Sequence, residues 1–127
     1  MRSSQPLTVA VVDDDEAVRH ALSNLLASLD LGVATFASAE AFLASPACRD
    51  AACLIADVQM PGMSGLDLQR HLSESGNRLP VILITAFPQE HVRRQAEAEG
   101  AFGFFAKPFE GGLMIQCIER ALRRELP

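Results

Sequence analysis

Five short, mostly apolar runs punctuate this sequence: Leu7–Val12, Val33–Phe36, Ala52–Ala56, Val81–Ile84 and Phe102–Ala106. They are apolar on consecutive rather than alternating positions, which is what a strand covered on both faces requires. The segments between them change period. Val18, Ala21, Leu22, Leu25, Leu26 and Leu29 recur at three- and four-residue spacing from Glu16 onward, with Asp15 as N-cap, and predict an amphipathic helix that Gly32 ends. Ser38 is expected to cap a short helix through Ala44 that Pro46 stops. Leu66–Ser73 (ended by Gly76 and Asn77), Glu90–Glu99 (Val92, Ala96 and Ala98 inward) and Leu113–Leu122 (Leu113, Ile115, Ile118 and Leu122 inward) complete the set. Strand and helix alternate with short connections, so the expected class is α/β, a parallel sheet with helices on both faces. No linker or repeat interrupts it, and one domain is expected over residues 5–125.

Composition narrows the function. No apolar run approaches the roughly 18 residues of a membrane span, and no secretory cleavage site precedes Asp13, which makes the cytoplasm the expected location. The formal net charge of −5 excludes the basic face that nucleic acid needs, the only basic cluster being Arg120, Arg123 and Arg124. Cys48, Cys53 and Cys117 lack metal-site spacing and read as reduced, packed thiols. Met60, Met63 and Met114 likewise read as packing residues.

Four of the runs stop on a polar side chain: Asp13 and Asp14, Asp57, Thr85, and Lys107. In a parallel sheet all four carboxyl ends lie along one edge, beside which ligands of open α/β sheets bind. Carboxylates gathered there repel by about 4 kcal/mol per pair at 4 Å and an effective dielectric near 20, so they stay ionised only beside cations. An all-oxygen donor set suits a hard dication that keeps waters and accepts phosphate oxygens, as Mg²⁺ does. A metal, the Lys107 ammonium and the Thr85 hydroxyl aimed at one point suit a transferring phosphoryl group, and an Asp carboxylate can attack phosphorus.

The motifs Val11-Val12-Asp13-Asp14, Asp57-Val58-Gln59-Met60-Pro61-Gly62-Met63-Ser64-Gly65, Thr85-Ala86 and Lys107-Pro108-Phe109 occur in this order. In them the chain resembles the receiver domains of two-component response regulators (the CheY-like superfamily), within the FixJ-like group. The resemblance implies a flavodoxin-like, doubly wound (βα)5 fold with five parallel strands in the order 2-1-3-4-5. It implies that Asp57 is the phosphoacceptor for a sensor histidine kinase. Asp13, Asp14 and Asp57, with the backbone carbonyl of Gln59, would hold Mg²⁺ or Mn²⁺. Thr85 and Phe104 would form the switch pair, Lys107 would pair with the phosphoryl group, and the Lys107–Pro108 peptide would be cis. The surface of the fourth helix, fifth strand and fifth helix would change to control an output domain, a partner or a homodimer.

Two departures from the family pattern stand out. Ala86-Phe87-Pro88-Gln89 replaces a flexible stretch, and Pro88 is expected to stiffen it and start the fourth helix early. FixJ-like regulators usually carry a DNA-binding output domain, whereas this sequence stops soon after Arg124, as a single-domain regulator or an excised domain would. Competing functions fare worse on the residues. A phosphatase using the same intermediate would want an acid two residues after Asp57, where Gln59 stands. A flavin carrier would want a Ser/Thr/Gly phosphate loop after the first strand, where the acids stand. A phosphate-independent dimerisation or interaction module would have no use for the acid and lysine set.

Overall fold

All strands pair in parallel, in the order β2-β1-β3-β4-β5. The computed structural model describes residues 7–123, which places Arg124 of the basic cluster outside the described residues. The elements are β1 (Thr8–Val12), α1 (Glu16–Ala27), β2 (Gly32–Phe36), α2 (Ala39–Leu43), α3 (Ala47–Asp50), β3 (Cys53–Asp57), α4 (Gly65–Glu74), β4 (Val81–Thr85), α5 (Glu90–Ala98), β5 (Gly103–Ala106) and α6 (Gly111–Arg123). This is the doubly wound flavodoxin-like arrangement that the alternation and the family resemblance led to.

The central strands β3 and β4 are buried at every position, which explains their unbroken apolar sequence. Side chains alternate between two cores. Val9, Val11, Ile55, Ile82 and Ile84 pack with Leu22 and Leu26 of α1 and Met114 and Ile118 of α6. Ala10, Val12, Leu54, Ala56 and Leu83 pack on the other face with Phe42 of α2, Leu68 and Leu72 of α4 and Ala96 of α5. Each fully buried Leu or Ile contributes about 1.5–3 kcal/mol.

Several local expectations change. Gly32 does not end α1; the chain turns earlier, through Asp30 at φ 61°, and the Leu31 amide donates back to the Leu26 carbonyl at 3.2 Å. Gly32 is instead the first residue of β2, packed so closely that a Cβ would lie 2.7 Å from Thr8 Oγ1. Pro46 does not simply stop α2, since it stands at the N-cap of the additional short helix α3. The helix after Pro88 begins no earlier than Glu90, with Gln89 at its N-cap. Ala98 and Leu113 are exposed; α6 turns Met114, Cys117, Ile118 and Ala121 inward instead. β5 starts at Gly103 rather than Phe102. Because of α3, the fourth and fifth helices of the sequence pattern are α5 and α6.

Candidate functional site

The carboxyl ends of β1, β3 and β5 bring Asp13, Asp57 and Lys107 into contact. Asp13 follows β1 and is fully buried; its amide donates to the Phe36 carbonyl at 3.1 Å, extending the β1–β2 ladder by one residue. Asp57 is the last residue of β3 and is 5% exposed. Lys107 directly follows β5, with its amide held by the Thr85 carbonyl at 2.8 Å. Its Nζ lies 3.0 Å from Asp13 Oδ2 and 3.1 Å from Asp57 Oδ2. The Lys107–Pro108 peptide is cis.

The remaining carboxylate oxygens are partly engaged. Asp13 Oδ1 accepts the Asp15 amide at 2.8 Å and Asp57 Oδ1 accepts the Gln59 amide at 3.1 Å. Asp14 is exposed, yet one of its oxygens lies within 4.8 Å of oxygens on Asp13 and Asp57. Three carboxylates around one ammonium leave the ionised cluster with two net negative charges. Burial pushes the Asp13 carboxyl above its ordinary range, with the nearby Asp57 charge acting the same way, against the Asp15 amide and Lys107. For Lys107 burial works downward, but the adjacent Asp13 and Asp57 carboxylates prevail and its pKa is raised.

Such a donor set fits a hard dication. Asp13 Oδ2 is buried and, although near the ammonium, makes no aligned hydrogen bond, so it retains a lone pair for a metal. Among the described residues no cysteine or histidine joins this cluster, and all-oxygen ligation suits Mg²⁺ or Mn²⁺.

Thr85 is buried at the end of β4, one residue beyond Ile84, the register partner of Asp57, and its hydroxyl accepts the Phe87 amide at 3.1 Å. Phe104 is half-buried beside Leu83 in the core shared with α2, α4 and α5, so it lies in β5 behind the edge rather than on it. Gln59 is exposed and directs its amide to Asp57.

The loop after Asp57 is built tightly. Gly62 adopts φ 78°, and Ser64 and Asp67 form a reciprocal capping box that starts α4. Gly65 approaches the Asp57–Val58 backbone so closely that a Cβ would collide with the Asp57 carbonyl, and its amide donates to Val58 O at 3.0 Å. Two supporting residues escaped the sequence reading. Arg19 Nη1 donates to the Asp13 carbonyl at 2.6 Å, and Glu40 Oε2 accepts the Met63 amide at 3.1 Å. No spacing rule signals either, although Glu40 stands in the first turn of α2, which begins at the same edge.

Residues 9–119 match the response regulator receiver domain family. The chain is 42% identical over 121 residues to the response regulator protein TmoT of Ectopseudomonas mendocina, covering 95% of this chain and 55% of TmoT. It is 38% identical over 120 residues to the transcriptional regulatory protein FixJ of Azorhizobium caulinodans, covering 94% of this chain and 57% of that one. The crystal structure of FixJ-N superposes with a TM-score of 0.84 at 36% identity, over 100% of this chain and 99% of that one. This chain therefore belongs to the response regulator receiver domains, signalling modules of two-component systems. It spans little more than half the length of these relatives. No helix among the described residues is long and apolar enough to cross a membrane.

Proposed function

We propose that this domain accepts a phosphoryl group on Asp57 from a phosphohistidine of a sensor histidine kinase, with Mg²⁺ or Mn²⁺ bound, in the cytoplasm. The observation that carries this reading is the meeting of Asp13, Asp14, Asp57 and Lys107 at one point of the sheet edge. In the transfer an Asp57 oxygen bonds to phosphorus while the phosphorus–nitrogen bond breaks, and the imidazole leaves with the electron pair and takes up a proton. Lys107, already beside Asp57, supplies positive charge to the phosphoryl oxygens, and the Thr85 hydroxyl donates to them. A dication held by Asp13, Asp14, Asp57 and the Gln59 carbonyl would offset the charge of the entering group. The domain also promotes its own dephosphorylation with the same groups and is not otherwise an enzyme.

An apolar groove of about 450 Å³, lined by Ala17, Val18, Ala21, Pro108 and Phe109, runs up to Lys107 and suits the approach of a phosphodonor protein. Signalling then passes through Thr85 and Phe104 to the α5–β5–α6 surface, read by an output domain, a partner or a second copy. Phe87 and Leu113, 68% and 55% exposed, give that side apolar contact area. Moving such a switch from 1:99 to 99:1 takes roughly 5.5 kcal/mol of differential stabilisation, within reach of a few charge-assisted bonds. No role in nucleic-acid binding is assigned to this domain; a DNA-binding output domain in a longer protein would supply it. The test is incubation with acetyl phosphate and Mg²⁺ followed by intact-mass measurement. One phosphoryl adduct on the native chain and none on Asp57→Asn is expected; an adduct of equal yield on the variant refutes the assignment.

A further inference from the structure

Arg19 lies near the start of α1 and is half-buried. Asp13, Asp14, Asp15 and Glu16 precede it closely, yet among the described residues its guanidinium forms no ion pair with any of them. Nη1 goes instead to the neutral Asp13 carbonyl, at 2.6 Å. The buried carboxylates of the cluster take their cation from Lys107, at 3.0 Å for Asp13 and 3.1 Å for Asp57. A charged donor on a peptide oxygen holds the main chain more firmly than a neutral one would. The carbonyl so held belongs to the Asp13–Asp14 peptide. The Arg19 amide also donates to the Asp15 carbonyl at 3.1 Å, so residue 19 grips the chain at two carbonyls with Asp14 between them. Any residue in this helix position can make the amide bond; the second bond needs a long side chain that ends in a donor.

The three carboxylates of the cluster differ in what fixes them. Asp13 Oδ1 accepts the Asp15 amide at 2.8 Å, Asp57 Oδ1 accepts the Gln59 amide at 3.1 Å, and both side chains share Lys107. Asp14 is exposed, and among the described residues no hydrogen bond or ion pair ties its carboxylate. It nevertheless keeps an oxygen within 4.8 Å of oxygens on Asp13 and Asp57. Its place therefore follows from the main chain that carries it. We infer that Arg19 is a positioning residue for the dication site, fastening the Asp13–Asp14 peptide so that the Asp14 carboxylate stays with the other two; this rests on the metal-dependent function proposed for the cluster. The charge of Arg19 predicts the opposite effect, because a guanidinium close to a dication disfavours its binding. Loss of Arg19 thus tightens binding if charge dominates and weakens it if positioning does. Groups that orient metal ligands typically account for about 10–100-fold in affinity.

Titration of the ¹⁵N-labelled native domain, Arg19→Met and Arg19→Gln with Mg²⁺, followed by NMR, tests this, and urea unfolding in EDTA shows whether the variants are folded. Both replacements are good helix formers, and neither places a charged donor on Asp13 O. Each should raise the Mg²⁺ Kd at least about tenfold, and relaxation measurements without metal should find the Asp14 amide more mobile than in the native chain. Should Arg19→Met fail to fold, Arg19→Gln decides alone. A lower Kd, as charge removal alone would give, overturns the inference. So does an unchanged Kd with reduced stability, as a merely structural contact would give, a smaller rise than that expected, or an Asp14 amide as rigid as the native one. Absence of any Mg²⁺ response in the native chain overturns the metal-dependent function as well, whereas native binding with unaltered variants overturns the role of Arg19 alone.

Discussion

Replacing Gly65 by alanine tests whether Asp57, the proposed acceptor, is positioned by close backbone packing. A Cβ at residue 65 would overlap the Asp57 carbonyl oxygen and lie 2.9 Å from its carbon and 3.1 Å from Val58 Cα, where ordinary contact begins at 3.4 Å. All three obstacles are backbone, so no side-chain rotation relieves them. The start of α4 and the end of β3 must separate by at least about half an ångström, stretching the 3.0 Å bond from the Gly65 amide to Val58 O. Overpacking of this kind costs about 1–3 kcal/mol. At roughly 3–5 °C per kcal/mol for a domain of this size, the Tm should fall by roughly 3–15 °C. Asp57 itself shifts, and misplacement by about 1 Å costs about 10²-fold, so phosphorylation by acetyl phosphate should slow between roughly tenfold and 10²-fold. Thermal melts by circular dichroism and adduct formation by mass spectrometry read both quantities. Gly111→Ala serves as control, since nothing lies within 4 Å of a Cβ there and no loss is expected. Unchanged Tm and rate in Gly65→Ala would refute the argument that this contact sets the acceptor's position.

The other predictions concern the charges and the supports. Saturating Mg²⁺ should raise the Tm, by linkage about 2.7 kcal/mol at 100 times the Kd, and Asp13→Asn should abolish that gain. Burial raises the Asp13 carboxyl, so ionised Asp13 weakens the metal-free fold; Asp13→Asn should be more stable than the native chain in EDTA at neutral pH, as urea unfolding will report. Burial also raises the Cys117 thiol, so the native state holds its proton to higher pH than the unfolded chain does. Stability from Cys117 is therefore complete below the ordinary thiol range and declines as pH rises through and beyond it, a loss that Cys117→Ala should reduce in urea midpoints above about pH 8.5. A thiol reagent at neutral pH should modify half-exposed Cys48 well before buried Cys53 and Cys117. Glu40→Ala should cost no more than about 1.5 kcal/mol but speed hydrogen exchange at the Met63 amide, and unchanged exchange there would count against the contact.

The sheet and the gathering of Asp13, Asp57 and Lys107 at its edge could be read from the sequence because both depend on periodicity. An apolar strand covered on two faces has one signature, and residues that break it at its carboxyl end, such as Asp57 and Lys107, are placed by topology alone. Features set by local backbone turns were less visible. Gly32 read as a helix stop because glycine is the common one, but Asp30 takes the left-handed position and frees Gly32 to pack under Thr8. Leu113 reads as part of one apolar side with Ile115, Ile118 and Leu122, whereas the helix turns Met114 and Cys117 inward. Glu40 and Arg19 reach backbone groups of distant segments, and such contacts follow the paths of loops, which no periodic pattern encodes.

Lys107 joins two kinds of bonding in one residue: its amide belongs to the Thr85 carbonyl, while its ammonium is divided between Asp13 and Asp57. An anion added to Asp57, as the proposed function requires, would compete with Asp13 for that ammonium, on a residue whose main chain is fastened to β4. Ion pairing and main-chain anchoring thus meet in one residue, so on the proposed function a modification of the Asp57 carboxylate would bear on the ends of two strands at once.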